Sequence, residues 1–263
     1  MAKMEATTEC SRERDPGPMD LLAKWSIPPN PPILTANQIH LWRAELREFR
    51  SQVERFLPLL SAEETARAQR FVFSQDRENF IVGRGILREL LGRYLGMPPA
   101  KLPLETRAKG KPTLGRALET HDVRFNLSHS AGLSVFAFCL GREVGVDIER
   151  IRPDVATDEI AERYFSSREW KELRALPSQH RTEAFFLCWT RKEAYVKAHG
   201  DGLHIPLDKF DVTVTPGTAA MLHSADAARW SLFSFSPKEG YVGALIAELG
   251  DFEVQFWDWR NWV

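Results

Sequence analysis

Asp147 and Glu149 stand one residue apart in Gly145-Val-Asp-Ile-Glu149, inside a stretch that alternates apolar and polar residues as a half-buried strand does. On such a strand both carboxylates face one side, about 7 Å apart at a rise of roughly 3.3 Å per residue. Paired hard oxygen donors make half of a magnesium site, since that ion keeps several waters and usually shares itself with phosphate. Spacing alone leaves an equal alternative, two solvated charges on the open face of an edge strand. A third carboxylate, Glu193, lies in Trp189-Thr-Arg-Lys-Glu-Ala-Tyr-Val-Lys197. As a helix this run puts Glu193 and Lys197 on one face, with Trp189 one turn earlier. Lys197 suits the negative charge that a phosphate brings. The apolar run Ala184 to Cys188 sinks the start of the helix into protein, and buried charges need partners. That makes an ordinary surface ion pair the weaker reading of Glu193 and Lys197.

The remaining polar candidates carry less on their own. His129, between Ser128 and Ser130, is a phosphate ligand or a turn histidine, and the turn is the better reading. Lys109-Gly-Lys-Pro112 reads as a basic turn, and Arg84 and Arg88 as residues flanking a helix. Glu169 closes Ser166-Ser-Arg-Glu169, whose capping-box spacing accounts for it fully.

Several elements must position these residues. Ser61-Ala-Glu-Glu64 opens one helix with a capping box. A longer helix from about Asp76 to Tyr94 carries Ile86, Leu87, Leu90 and Leu91 at helical spacing and stops before Pro98 and Pro99. Strands are expected at Ile39 to Trp42, Leu133 to Leu140, Val144 to Glu149, Phe210 to Val214 and Tyr241 to Leu249. Asp158 to Tyr164 reads as a helix, and Gly200 ends the helix of Glu193. Residues 1–32, polar and then proline-rich, read as a loosely ordered arm.

Shifting the chain by 104 positions lays Arg88-Glu89 on Lys192-Glu193, Arg93 on Lys197 and Gly96 on Gly200. The match suggests an α+β protein of two similar α/β halves, 33–140 and 141–263, the second carrying the metal site.

The 263 residues carry a formal net charge of −1, with 43% hydrophobic and 27% charged. That is a globular composition with no bulk attraction to nucleic acid or to an acidic membrane. Cys10, Cys139 and Cys188 are too scattered for a disulfide framework or a zinc site. Without a signal-like segment or an 18-residue apolar run, the expected protein is soluble, reduced and cytoplasmic.

Phe125-Asn-Leu-Ser-His-Ser130, Gly145-Val-Asp-Ile-Glu149 and Trp189-Thr-Arg-Lys-Glu-Ala194 with Lys197 resemble the motifs of the 4′-phosphopantetheinyl transferases, in their larger, pseudo-dimeric surfactin-type class. Gly110-Lys-Pro112, Phe165-Ser-Ser-Arg-Glu169 and Tyr241-Val-Gly-Ala244 fall in the same order, so the resemblance spans about Arg70 to Ala247. It implies transfer of the phosphopantetheine arm of coenzyme A to a serine of an acyl, polyketide or peptidyl carrier protein, with release of 3′,5′-ADP. It implies a monomer with a pseudo-two-fold arrangement of its halves and the active site between them. Asp147, Glu149 and Glu193 would hold magnesium, with manganese as an alternative ion. Lys192 and Lys197 would lie near the phosphates, Arg152 near the pyrophosphate, and Lys111, Pro112, Ser128 and His129 at the nucleotide end. One basic residue of the first half is left open among Arg77, Arg84 and the neighbourhood of Asn79. Glu193 is the first choice of base, and Glu169 an assistant or substitute.

Two other readings compete. A magnesium-dependent nuclease uses similar groups, but with Glu-x-Lys on a strand rather than Glu-x-x-x-Lys on a helix, and it needs a basic footprint. A catalytically inactive carrier-protein binding module is disfavoured because all three carboxylates and Lys197 are present.

Overall fold

The computed structural model describes residues 20–21, 23–30, 32–106, 112–115, 118, 121–200 and 205–260. In chain order the strands are β1 (Asp20–Leu21), β2 (Gln38–Glu45), β3 (Leu104–Thr106), β4 (Pro112–Leu114), β5 (Val123–Ser130) and β6 (Leu133–Leu140). They continue with β7 (Val144–Arg150), β8 (Asp211–Val212), β9 (Leu222–His223), β10 (Trp230–Phe235), β11 (Tyr241–Glu248) and β12 (Glu253–Asp258). The α-helices are α1 (Val53–Phe56), α2 (Ala62–Ala68), α3 (Ser74–Leu95), α4 (Asp158–Tyr164), α5 (Ser167–Ala175) and α6 (Ser178–Ala198).

Two four-stranded sheets share one pattern. In the order β1-β10-β11-β7 the first pair is parallel and the next two are antiparallel. The order β12-β2-β6-β5 repeats this. Each sheet takes its outer parallel strand from the far end of the chain. The terminal strands therefore do not follow a division at residue 140. Arg43 on β2 clasps Asp258 on β12 at 2.7 Å and donates to the carbonyl of Pro237 in the other half. Nor are residues 20–21 and 23–30 wholly a loose arm, because β1 extends a sheet and Trp25 packs on Phe235 and Phe256.

Burial of the alternating faces holds the layers together. Ile86, Leu87, Leu90 and Leu91 of α3 pack on Trp42, Phe136 and Phe138. Phe185, Phe186, Ala194 and Ala198 of α6 share a core with Val242, Ala244 and Ile246 of β11. A third core lies between the sheets, where Ile39, Leu41, Val135 and Ala137 meet Val144, Val146 and Ile148. Strand β6 is covered on both faces, as its unbroken apolar run requires. Strand β7 turns Val144, Val146 and Ile148 inward and leaves Asp147 and Glu149 on its opposite side. Gly96 (φ 63°) ends α3 in the left-handed conformation that glycine adopts without strain, ahead of the two prolines.

The structure differs from the sequence expectation in places. Ser128-His129-Ser130 is strand, and the turn falls at Ala131-Gly132. The strand expected over Phe210 to Val214 shrinks to Asp211–Val212. Strands β3, β4, β10 and β12 carry too few alternating residues, or too mixed a pattern, to stand out.

Candidate active site

The free edges of the two sheets, β5 and β7, face each other, and side chains rather than backbone join them. Asn126, Ser128 and Ser130 alternate along β5 and so project to one side. Asn126 Oδ1 accepts from the amide of Val146 at 3.0 Å, Ser128 Oγ from Ile148 at 3.2 Å and Ser130 Oγ from Arg150 at 3.1 Å. These would otherwise be unpaired amides at a buried sheet edge. Each serine also donates to a carboxylate, Ser128 to Asp147 Oδ1 at 2.8 Å and Ser130 to Glu149 Oε2 at 2.6 Å. In the third register position, opposite Asn126, the acid is replaced by Gly145.

Gly145 is there because α6 comes too close for a side chain. A Cβ at that position would lie 2.1 Å from the carbonyl oxygen of Ala194 and 2.7 Å from the amide of Ala198. This approach brings Lys197 to the strand. Its Nζ donates to Asp147 Oδ1 at 2.6 Å and lies 3.2 Å from Ser128 Oγ and 3.3 Å from the Val146 carbonyl. Glu193 sits one turn earlier on α6, half-buried. Lys197 thus answers Asp147 rather than simply pairing with its helix neighbour.

Asp147 is 4% exposed, and its second oxygen, Oδ2, is buried without a hydrogen-bond partner. A buried carboxylate oxygen left bare is costly, which marks a place for a cation or donor. Burial raises the Glu149 carboxyl above its usual range, and the charge of Asp147 adds to this; Ser130, Arg152 and Lys197 pull it back. Arg152 is exposed just beyond β7. The ring of His129 still reaches solvent, yet desolvation and then the charge of Lys197 hold it below the ordinary imidazole value. Among the described residues no three His, Cys, Asp or Glu side chains stand grouped as a finished metal cage.

Two expected residues belong elsewhere. Glu169 is 1% exposed and Lys192 fully buried, and they pair at 2.8 Å inside the second core. Glu169 also accepts from the amides of Ser166 and Val212, while Lys192 donates to the carbonyls of Leu207 and Phe210 and lies over the Phe210 ring. Every strong group on both side chains is engaged away from the carboxylate strand. The roles expected for Glu169 at the reacting centre and for Lys192 at the phosphates are therefore corrected to internal support.

The first half repeats this network. Glu64, the capping-box acid of α2, pairs with Arg88 of α3 at 2.7 Å, and Arg88 donates to the carbonyls of Pro99 and Leu102. Arg84 joins it, 3.5 Å from Glu64 and buried, with desolvation holding its pKa to about 10. The expectation that Arg84 faces a ligand is corrected accordingly. Two capping boxes, each followed by a cation in the long helix, were visible in the sequence and identify these pairs as structural.

Arg77 is exposed on the first turn of α3, and Asn79 is engaged by Arg50 at 3.0 Å. Pro112 is buried at the start of β4, and Lys111 lies outside the described residues. The structure thus gathers Ser128, His129, Asp147, Glu149, Arg152 and Lys197. Asn126, Ser130 and Gly145 are the positioning residues that sequence reasoning did not single out, although the period-two Asn-x-Ser-x-Ser pattern was open to view. No helix among the described residues is long and apolar enough to cross a membrane.

Comparison with known proteins agrees with this arrangement of motifs. The family described as 4′-phosphopantetheinyl transferase, N-terminal, matches residues 41–140, and the 4′-phosphopantetheinyl transferase superfamily matches residues 143–246. The chain is 39% identical to the 4′-phosphopantetheinyl transferase HetI of Nostoc sp. over 231 residues, covering 87% of this chain and 96% of that protein. It is 33% identical to the transferase psf-1 of Bacillus pumilus, covering 72% of this chain and 78% of that one. Identity to the transferase Sfp of Bacillus subtilis is 29%, covering 76% and 87%. With two family matches that together take in most of its length and a relative similar almost from end to end, the chain belongs to the 4′-phosphopantetheinyl transferases.

Proposed function

We propose that this enzyme moves the 4′-phosphopantetheine arm of coenzyme A onto a serine hydroxyl of an acyl, polyketide or peptidyl carrier protein, in a magnesium-dependent reaction. The observation that carries the reading is the buried, partnerless Oδ2 of Asp147 beside Lys197, on the strand edge where two similar halves meet. The repeated sheet pattern and the twin Glu64–Arg88 and Glu169–Lys192 networks support a pseudo-two-fold duplication with one active site between its copies.

The donor set fits magnesium. It is made of carboxylate oxygens only, and Asp147 Oδ2 lacks a protein donor. Asp147, Glu149 and Glu193 would hold the ion, which when bound supplies charge neutralisation at the pyrophosphate. Manganese would serve the same donors.

In the reaction the serine oxygen forms a bond to the β-phosphorus of coenzyme A as the bond from that phosphorus to the bridging oxygen breaks. The bridging oxygen leaves on 3′,5′-ADP, and the serine proton leaves to a base. Such transfers depend on positioning and charge more than on covalent help. Glu193, half-buried and one helical turn from Lys197, takes the serine proton directly or through a water. Lys197 Nζ, held by Asp147 and the Val146 carbonyl, faces the charge that develops on the leaving phosphate. Ser128 fixes the Asp147 carboxylate, while His129 and Arg152 bind phosphate at the margins of the edge. Lys111 and Arg77 are assigned to the nucleotide end of coenzyme A.

The test is mass spectrometry of several apo-carrier proteins after incubation with coenzyme A and magnesium, looking for added phosphopantetheine. Asp147→Ala should abolish the modification. Full activity in that variant, or modification unaffected by chelator, would sink the metal-site assignment.

A further inference from the structure

Between α2 and α3 the chain exposes three bulky apolar residues in succession, Phe71, Val72 and Phe73. Val72 is 90% exposed and Phe73 70%. Clustered apolar residues of this kind mark an interaction surface more often than scattered ones do. The segment is pinned at both ends. The Phe71 amide donates to the Ala68 carbonyl, and the amides of Asp76 and Arg77 donate to the carbonyl of Phe73, the residue just before α3. Phe71 packs on Phe80 with ring centroids 5.4 Å apart, and the guanidinium of Arg67 lies over the same Phe80 ring at 5.3 Å. Arg67, Arg70 and Phe71 line an open pocket of about 220 Å³.

From Arg67 to Gln75 there are two arginines and no carboxylate. The patch is thus an apolar tip beside fixed positive charge, complementary to an acidic surface with an apolar knob. A second copy of the same patch would bring arginines against arginines, which disfavours self-association. Along α3 the patch leads towards the site, because a Cβ at Gly83, one turn beyond Phe80, would lie 3.9 Å from Ser134 Oγ, and Ser134 pairs with His129 across the sheet.

We propose that Phe71, Val72 and Phe73, with Arg67 and Arg70, form the surface on which the carrier protein docks. The partner is an acidic protein presenting apolar side chains next to its acceptor serine, brought to the β5–β7 edge. This rests on the transferase reading given above. Docking supplies affinity for the carrier, while the carboxylates and Lys197 act on coenzyme A, so the two can be separated by measurement.

The test compares wild type with V72D/F73D, using an apo-acyl carrier protein and an apo-peptidyl carrier protein. Aspartate is a favoured residue at the position preceding a helix, so the substitution leaves α3 well capped. The expected result is a KM for carrier raised at least tenfold, with kcat within about twofold and calorimetric affinity for coenzyme A unchanged. Arg70→Glu should raise the KM in the same direction. An unchanged KM in V72D/F73D overturns the proposal. So does a switch from dimer to monomer in sedimentation, or a loss of binding to phosphatidylglycerol vesicles, with the carrier KM unchanged. Wild-type protein that transfers nothing from coenzyme A overturns the transferase reading and the docking with it, and is told apart because it fails before any substitution is made.

Discussion

Ser128 Oγ donates to Asp147 Oδ1 at 2.8 Å while accepting from the amide of Ile148 at 3.2 Å, so one hydroxyl both orients the site's buried acid and closes the edge of its strand. Removing it affects chemistry and stability at once. Ser128→Ala should lower activity at least tenfold and lower stability by about 1–3 kcal/mol, the usual cost of a buried amide left without an acceptor. Asn126→Ala removes the equivalent acceptor from Val146 but touches no carboxylate. It should show a similar loss in urea denaturation with kcat nearly unchanged. Equal kinetic losses in the two variants would contradict the separate role assigned to Ser128.

Gly145 sets the distance between β7 and α6. The Cβ of an alanine there would stand 2.1 Å from the Ala194 carbonyl oxygen, a backbone atom that cannot rotate away. Gly145→Ala must push strand and helix apart and carry Lys197 away from Asp147. The expected outcome is at least a hundredfold loss of carrier modification, with a fall in melting temperature of several degrees. An active, undisturbed Gly145→Ala protein would mean that the strand–helix approach does not matter for Lys197.

The chemistry was legible in the sequence where it rests on local spacing. Asp147 and Glu149 share a strand face because side chains alternate, and Glu193 and Lys197 share a helix face because they lie one turn apart. Glu169 and Lys192 misled because a family motif can be kept for the core as well as for the ligand. Both were polar and near the right motifs, and what separates them from residues at the site is their pairing with each other and with backbone groups of the second core. The short strands stayed hidden for a different reason. Strand β12 pairs in parallel with β2, more than two hundred positions away, and its Glu-Val-Gln-Phe-Trp-Asp sequence is partly buried along most of its length rather than alternating cleanly.

The buried pair Glu169–Lys192 offers a direct separation of support from catalysis. Glu169→Ala leaves the Lys192 ammonium uncompensated in the core and should cost about 3–5 kcal/mol. Glu64→Ala should cost a similar amount in the first half by stranding Arg88, although it lies in another core. Glu169→Gln retains the size of the side chain and loses its charge; assayed below its melting temperature, it should keep kcat within severalfold. Glu193→Gln should do the reverse, with kcat down at least a hundredfold and an unchanged melting temperature. Denaturation curves and carrier-labelling rates on the same preparations decide between them. A large kcat loss in folded Glu169→Gln would restore a catalytic role to Glu169.

Acid sensitivity should arise in part from His40, far in sequence from the carboxylate edge. Trp42 Nε1 donates to Tyr94 Oη at 2.8 Å, and the same oxygen lies 2.8 Å from His40 Nδ1. The ring is held neutral, and burial lowers its pKa from 6.5 to about 4. In the unfolded chain the same imidazole takes up a proton near its ordinary value. Between those two values the unfolded state binds more protons than the folded one, so stability is present above the unfolded pKa and is lost as pH falls through the folded one. The slope approaches about 1.4 kcal/mol per pH unit, for a total of up to about 3 kcal/mol. Half-buried carboxyls with raised pKa values, such as Glu89 and Glu149, give the opposite slope, so the comparison must be between variants. Urea denaturation at pH 7 and pH 5 should show a larger acid loss in wild type than in His40→Gln, whose side chain does not titrate. Parallel losses in the two proteins would show that His40 is not the proton acceptor.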